Sequence, residues 1–266
     1  MPLFWLRTAL GLYGFGLLYA VMAIWGERQR LTRIMLPAVG LGTVFHFVSV
    51  MESVKLGGFD SSLSVHQVES LLAFLLMAFF FAIYAIYRTA SPGVAVFPLA
   101  FVLTLSAQSF SGPSDTLPPA FSRWIYVHIA LIMVGYSALI ISFAASILYL
   151  IQEKNLKTKG IAGFWSRLPA LATIDEIGYR VLIFGFPFMT FGLIAGSILA
   201  NEKGADYFKD PYFKDPKVLL SALMWVVYTV LLYTRWSAGW RGRRAAYLAA
   251  CAFAAAAVAW VANIHS

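Results

Sequence analysis

The chain has 266 residues, of which 61% are hydrophobic and only 12% are charged, and its formal net charge is +8. A soluble domain could not cover so much apolar content, so the composition excludes an ordinary water-soluble protein and predicts one embedded in a lipid bilayer. Leu, Ala and Phe dominate, and helices satisfy their own backbone groups in hydrocarbon, so we expect an all-α, polytopic membrane helix bundle.

Apolar windows of about 20 residues, the length needed to cross the hydrocarbon core, recur eight times along the chain. They predict eight transmembrane helices in one integral membrane domain over residues 1–266. The expected spans are 5–25, 35–55, 67–87, 93–111, 124–151, 179–200, 217–235 and 245–264.

Local signals mark several boundaries. The first span lacks a small-residue cleavage site, so we expect it to be retained and not removed as a signal peptide. Ser91-Pro92-Gly93 predicts a turn, and Thr173 to Glu176 is typical of a capping box before the sixth helix. Cys251 is the single cysteine, which excludes an internal disulfide.

The basic residues predict the orientation. Of the 20 Lys and Arg residues, 13 fall in the connections after the first, third, fifth and seventh helices. The positive-inside rule places these connections in the cytoplasm and both termini outside. The positive charge is thus explained by topology, and no nucleic-acid partner is expected because no aromatic-interleaved basic groove is present.

Three of the four histidines, His66, His128 and His265, are predicted at the outer ends of different helices. Imidazole can ligate a metal or haem iron, so a shared depth would let them converge on one site. Each has a structural alternative as an interfacial residue bonded to headgroups or backbone. His66 lies one helical turn before Glu69, a spacing that favours a local hydrogen bond over a ligand role.

His46 lies inside the second span, where an ionisable group suggests function. It has no histidine at matching depth in another helix. A neutral histidine bonded across the bundle is therefore favoured over a metal ligand.

The outer connection 201–217 contains a tandem pentapeptide, residues 207–211 and 212–216. Its duplicated aromatic residues predict a shelf at headgroup level. They could form a platform for a planar ligand or a partner, or only anchor the helix ends. The residues concerned are Tyr207, Phe208, Tyr212 and Phe213.

The later half of the chain resembles the cytochrome c assembly proteins of the CcsA/ResC type and their shorter HemX-like relatives. The resemblance is strongest over residues 120–266. It rests on Tyr126-Val127-His128-Ile129, Gly135-Tyr136, Leu168-Pro169 through Asp175, Tyr179-Arg180, Gly185-Phe186-Pro187, Gly192, Gly196 and Gly239-Trp240-Arg241-Gly242-Arg243-Arg244-Ala245-Ala246.

The resemblance implies haem b as a transient cargo, presented at the outer face for attachment to apocytochrome c. It implies that His128 and His265 bind the haem iron beside the tandem loop, in which Asp215-Pro216-Lys217 matches the end of the family pattern. It further implies the bacterial inner (cytoplasmic) membrane and a ResB/CcsB-like subunit with a large outer domain. The role would be that of a haem chaperone or a part of a cytochrome c synthase complex, rather than a stand-alone enzyme.

The sequence departs from this family pattern at two places. The loop expected to be rich in tryptophan contains none, so the four tandem aromatics would cover the porphyrin instead. Tyr233 occupies the position of a buried histidine. A phenolate can ligate haem iron, but a tyrosine beside Arg235 favours an ordinary interfacial residue, and no buried haem is predicted.

These departures leave a second function open, a HemX-like membrane scaffold or regulator that stabilises another haem-pathway protein without holding haem. A b-type electron-transfer subunit is disfavoured, because it needs two histidines at matched depth on facing helices. The sequence contains no nucleophile elbow, no His-Glu-x-x-His and no phosphate-binding glycine loop, which disfavours hydrolytic chemistry.

Overall fold

The computed structural model describes residues 2–25, 32–57, 65–109, 124–157, 169–203 and 216–264. Within these ranges the regular structure is entirely helical, which confirms the predicted all-α class. The described residues form eight helices, α1 Pro2–Trp25, α2 Thr32–Gly57, α3 Val65–Tyr87, α4 Gly93–Ser109, α5 Trp124–Lys157, α6 Leu171–Lys203, α7 Pro216–Trp236 and α8 Arg243–Ile264.

Five of the helices, α1, α2, α3, α5 and α6, are long and apolar enough to cross a membrane. The described part of α4 is a shorter apolar helix, Gly93–Gln108. The protein is therefore a multi-pass membrane protein by length and composition. The total of eight spans and the outward orientation of both termini stay predictions.

The predicted helix positions are close to the observed ones, with two corrections. The fifth helix ends at Lys157, not near residue 151. The sixth helix begins at Leu171, not near residue 179. Thr173 is consequently inside the first turn, where its backbone N–H donates to Ala170 O at 2.8 Å. The predicted capping box is therefore wrong, because the helix starts before it. The turn at Ser91-Pro92-Gly93 is confirmed by the hydrogen bond from Gly93 N to Ala90 O at 3.0 Å.

The chain divides into two compact units. Unit 1 comprises Met1–Arg123 with Lys154–Pro169, and unit 2 comprises Trp124–Glu153 with Ala170–Ser266. In unit 1, α1 packs on α2 and α4, and α3 packs on α4. Its most deeply buried large side chains include Tyr13, Phe80 and Phe97.

Unit 2 is organised by the antiparallel contact of α5 with α6. Gly178, Gly185 and Gly192 recur at seven-residue intervals on α6, and an added Cβ at each would meet α5. At Gly185 it would collide with Ala138 Cβ, and at Gly192 it would lie 2.7 Å from Ile132 Cδ1. Small residues let two helix backbones approach closely in a bilayer. This contact fixes the register of α5 on α6.

The remaining helices of unit 2 close its core. The hydroxyl of Tyr228 on α7 donates to the backbone oxygen of Gly135 on α5, and Tyr228 is fully buried. Apolar side chains from all four helices surround this bond, Ile132, Leu139, Leu182, Met189, Met224, Leu231 and Ala249.

Candidate functional site

His128 lies in the second turn of α5, and the α5–α6 register places it beside the later part of α6. Its Nδ1 is 2.7 Å from the backbone oxygen of Gly192. A carbonyl oxygen only accepts hydrogen bonds, so Nδ1 carries the proton and Nε2 keeps its lone pair. No hydrogen bond to Nε2 is found within the part of the chain that the structure describes. The ring therefore has one nitrogen anchored and one available for a ligand.

Gly196 provides the surface against which this ring lies. A Cβ placed on Gly196 would be 2.7 Å from Cε1, 3.0 Å from Nδ1 and 3.5 Å from Nε2 of His128. The first two distances are shorter than ordinary contacts of about 3.5–4.0 Å, so a side chain there would displace the ring. Gly192 and Gly196, one turn apart on α6, together hold the imidazole in place.

His46 is in a different setting, fully buried in unit 1. Its Nδ1 lies 3.2 Å from the hydroxyl of Tyr13 on α1, and its Nε2 lies 2.9 Å from Oγ of Ser70 on α3. Both ring nitrogens are thus engaged, and the residue links three helices. This arrangement matches the favoured prediction of a histidine bonded across the bundle.

His66 makes the local contact with Glu69 that the sequence analysis favoured. Its Nδ1 is 3.4 Å from Oε2 of Glu69, one helical turn on. The same carboxylate oxygen accepts a hydrogen bond from Ser106 Oγ at 3.0 Å, which ties α3 to α4. His66 belongs to unit 1 and His128 to unit 2, so the convergence of histidines at one rim stays a prediction.

The other predicted site residues lie outside the described residues, so their roles stay predictions. They are His265, Tyr207, Phe208, Tyr212, Phe213 and Asp215. Among the residues that the structure does describe, no group of three His, Cys, Asp or Glu side chains could hold a metal ion. Tyr233, which the sequence predicts to be an interfacial tyrosine, is 64% exposed.

A polar cluster at the opposite end of unit 2 was not predicted. Asp175 Oδ2 is 2.7 Å from Nη1 of Arg235, and its Oδ1 accepts a hydrogen bond from Gly242 N at 3.2 Å. The guanidinium carbon of Arg235 lies 5.2 Å from the centre of the Tyr179 ring. One carboxylate therefore joins the start of α6 to the end of α7 and to the connection before α8. The partners are 60 and 67 residues away in sequence, beyond any local pattern.

Known proteins resemble this chain over most of its length. Residues 41–261 match the family described as Cytochrome C assembly protein. The chain is 32% identical over 216 residues to the cytochrome c biogenesis protein CcsA of Guillardia theta, covering 73% of this chain and 69% of that protein. It is 28% identical over 292 aligned positions to CcsA of Mesostigma viride, covering 98% and 93% of the two chains.

A further alignment is shorter. The chain is 35% identical over 140 residues to CcsA of Chlamydomonas reinhardtii, which covers 53% of this chain and 37% of that protein. The family match spans both units and includes His46, His66 and His128. The chain therefore belongs to the cytochrome c assembly protein family.

Proposed function

We propose that this protein handles haem in the membrane and assists cytochrome c maturation, with His128 as one ligand of the haem iron. The observation that carries the proposal is the asymmetric hydrogen bonding of the His128 ring. Nδ1 donates to Gly192 O at 2.7 Å, and Nε2 is left with its lone pair. Metal-ligating histidines commonly hold their second nitrogen in this way, which fixes the tautomer and the ring orientation.

The surroundings of His128 suit an exchangeable cargo. The residue is partly exposed and lies near the end of the α5–α6 pair, not in the middle of the unit 2 core. A haem held there by coordination and packing alone, without a covalent bond, could be passed on. Membership in the cytochrome c assembly family supports apocytochrome c as the recipient.

The second axial ligand in this proposal is His265, with the tandem loop covering the porphyrin. Tyr207, Phe208, Tyr212 and Phe213 supply aromatic faces, and Asp215 ends the loop. Two neutral imidazoles from separate helices can take both axial positions of a haem iron. A ResB/CcsB-like outer-domain subunit would be the partner in transfer.

The proposed orientation places the His128 end of unit 2 on the outer side of the bacterial inner membrane. It is supported by the excess of basic residues in the opposite set of connections, 13 of 20. Both termini then lie outside, where apocytochrome c is matured in this proposal.

The hydrogen bonding of the two rings supports the choice of His128 over His46 as a ligand. Coordination by His46 would require the loss of its bond to Tyr13 or to Ser70 inside a fully buried environment. Such a loss leaves a buried polar group unsatisfied, which costs about 1–3 kcal/mol. His128 needs no such loss, because its Nε2 has no partner among the described residues.

An absorbance spectrum of the purified protein, with and without added haemin, tests the proposal. We expect a Soret band that is lost in His128→Ala and retained in His66→Ala, the control at the start of another helix. Size-exclusion profiles establish that both variants remain folded. A wild-type protein that stays colourless under haemin titration, or a Soret band unaffected by His128→Ala, would contradict the proposal.

A second candidate is a membrane scaffold that stabilises another haem-pathway protein without holding haem. It is favoured by the absence of tryptophan from residues 201–217 and by exposed Tyr233 at the family's buried-histidine position. The discriminating measurement is co-purification of a partner with the His128→Ala variant. A partner retained by this variant, together with a colourless wild type, would support the scaffold.

A further inference from the structure

Residues 236–244 comprise the last residue of α7, the connection to α8 and the first two residues of α8, and they have a defined shape at the end of unit 2 opposite to His128. Gly239 and Gly242 both have a φ of 63°, a conformation that favours glycine. Trp240 N donates to Thr234 O at 3.0 Å, and Gly242 N donates to Asp175 Oδ1 at 3.2 Å. We call these residues the 236–244 loop.

Basic residues outnumber acidic residues around this loop. Arg235 pairs with Asp175 at 2.7 Å, Arg180 pairs with Glu176, and Arg243 is 3.8 Å from Glu153. Each of these three carboxylates is therefore already engaged with an arginine.

Two further arginines, Arg241 and Arg244, are exposed. Neither has a carboxylate within salt-bridge distance among the residues that the structure describes. The 236–244 loop thus presents two arginine charges that the described part of the protein does not neutralise.

The same loop presents apolar surface. Trp236 is 88% exposed and Trp240 is 36% exposed, although the backbone around them is held by hydrogen bonds. Tryptophan rings favour the headgroup level of a bilayer, where one edge is wet and the other is apolar. A soluble anion would satisfy the arginines but would leave Trp236 in water. The occupant that fits both features carries a negative headgroup and an acyl chain.

We propose that the 236–244 loop binds an anionic phospholipid, with Arg241 and Arg244 contacting the headgroup phosphate and Trp236 lying against the upper acyl chain. Arginine beside an anionic leaflet gains about fivefold in association for each charge, so the pair would contribute about thirtyfold. A zwitterionic lipid has no net charge and would not receive this preference. The proposal does not depend on haem binding.

The test uses the full-length protein in nanodiscs made of phosphatidylcholine and phosphatidylglycerol. Bromine on an acyl chain quenches tryptophan fluorescence. In one sample phosphatidylcholine carries the brominated chains and in the other phosphatidylglycerol does, and the total amount of bromine is equal in the two samples. Subtracting the signal of Trp236→Phe isolates the contribution of Trp236. We expect stronger quenching of Trp236 when phosphatidylglycerol carries the bromine.

The double variant Arg241→Gln/Arg244→Gln is expected to make quenching by the two lipids equal. Each single variant is expected to lower the relative association constant by about fivefold. Arg180→Gln is the matched control, since Arg180 is 65% exposed but already pairs with Glu176. Equal quenching in the wild type would overturn the proposal, as would a loss of preference in Arg180→Gln equal to that in the double variant.

Discussion

Substitution of Gly196 by alanine tests whether the surface of α6 sets the position of the His128 ring. The new Cβ would lie 2.7 Å from Cε1 of the ring, whereas carbon contacts are normally about 3.5–4.0 Å. The new methyl group is fixed to the backbone of α6. The His128 ring therefore has to move by about 1 Å to restore a normal contact distance. Such a movement pulls Nδ1 away from Gly192 O, to which it now lies at 2.7 Å.

The expected size of the effect follows from the cost of this overlap. Adding a methyl group to a packed contact costs about 1–3 kcal/mol. If the overlap is relieved by displacing the His128 ring from the orientation in which it binds iron, haem affinity drops by about 5-fold to 150-fold. If the cost falls on the helix contact, the free energy of unfolding drops by the same 1–3 kcal/mol. Measuring both quantities separates the two outcomes.

The assay is a haemin titration followed by the Soret band, with thermal unfolding of the apoprotein in the same detergent. Gly11→Ala is the control, because an added Cβ at Gly11 would meet nothing within 4 Å. In a His128→Ala background, Gly196→Ala should no longer lower the free energy of unfolding, since the displaced ring is gone. Wild-type affinity in Gly196→Ala, or full additivity of the two substitutions, would refute the reasoning.

Four further substitutions probe the polar contacts of the two units by unfolding in detergent micelles. Asp175→Asn should lower the free energy of unfolding by about 2 kcal/mol, because it weakens a pair whose side chains are only 12% and 15% exposed. Glu176→Gln, in an exposed pair, should cost less than about 1 kcal/mol, and equal losses would contradict this ranking. Ser70→Ala should cost about 1–3 kcal/mol, because it leaves Nε2 of buried His46 without its partner, and an unchanged stability would count against that bond. Tyr228→Phe should cost about 1 kcal/mol through the lost bond to a backbone carbonyl, and a stability gain would contradict the packing described.

The hydrophobic pattern predicted the helices well because membrane length and apolar composition are local properties of the sequence. The largest exception is α6, whose first turns contain Asp175 and Glu176 and therefore lack the continuous apolar composition of a membrane span. These turns are nevertheless helical. In them Asp175 accepts hydrogen bonds from Arg235 and from Gly242 N, which are 60 and 67 residues away in sequence. A pairing over that distance has no signature in local periodicity.

The candidate site was predicted only in part for the same reason. The sequence and the family resemblance selected His128, but not its partner Gly192, which is 64 residues distant. A signal for this contact was present in the seven-residue spacing of Gly178, Gly185 and Gly192, which marks one face of α6 for close packing. That spacing predicts a helix contact without naming the partner helix. The roles of His265 and of the tandem loop stay predictions.

The two ends of unit 2 suit different tasks because their polar groups are satisfied to different degrees. At one end, both oxygens of Asp175 are engaged, so this carboxylate stabilises the junction of three segments. At the other end, the imidazole of His128 uses one nitrogen for the fold and keeps the second without a partner among the described residues. Packing alone would be served as well by an apolar side chain, which has no lone pair to satisfy. An oriented imidazole with an available nitrogen is instead the arrangement that a metal ligand requires, and this contrast is the physical reason for proposing His128 as a haem ligand.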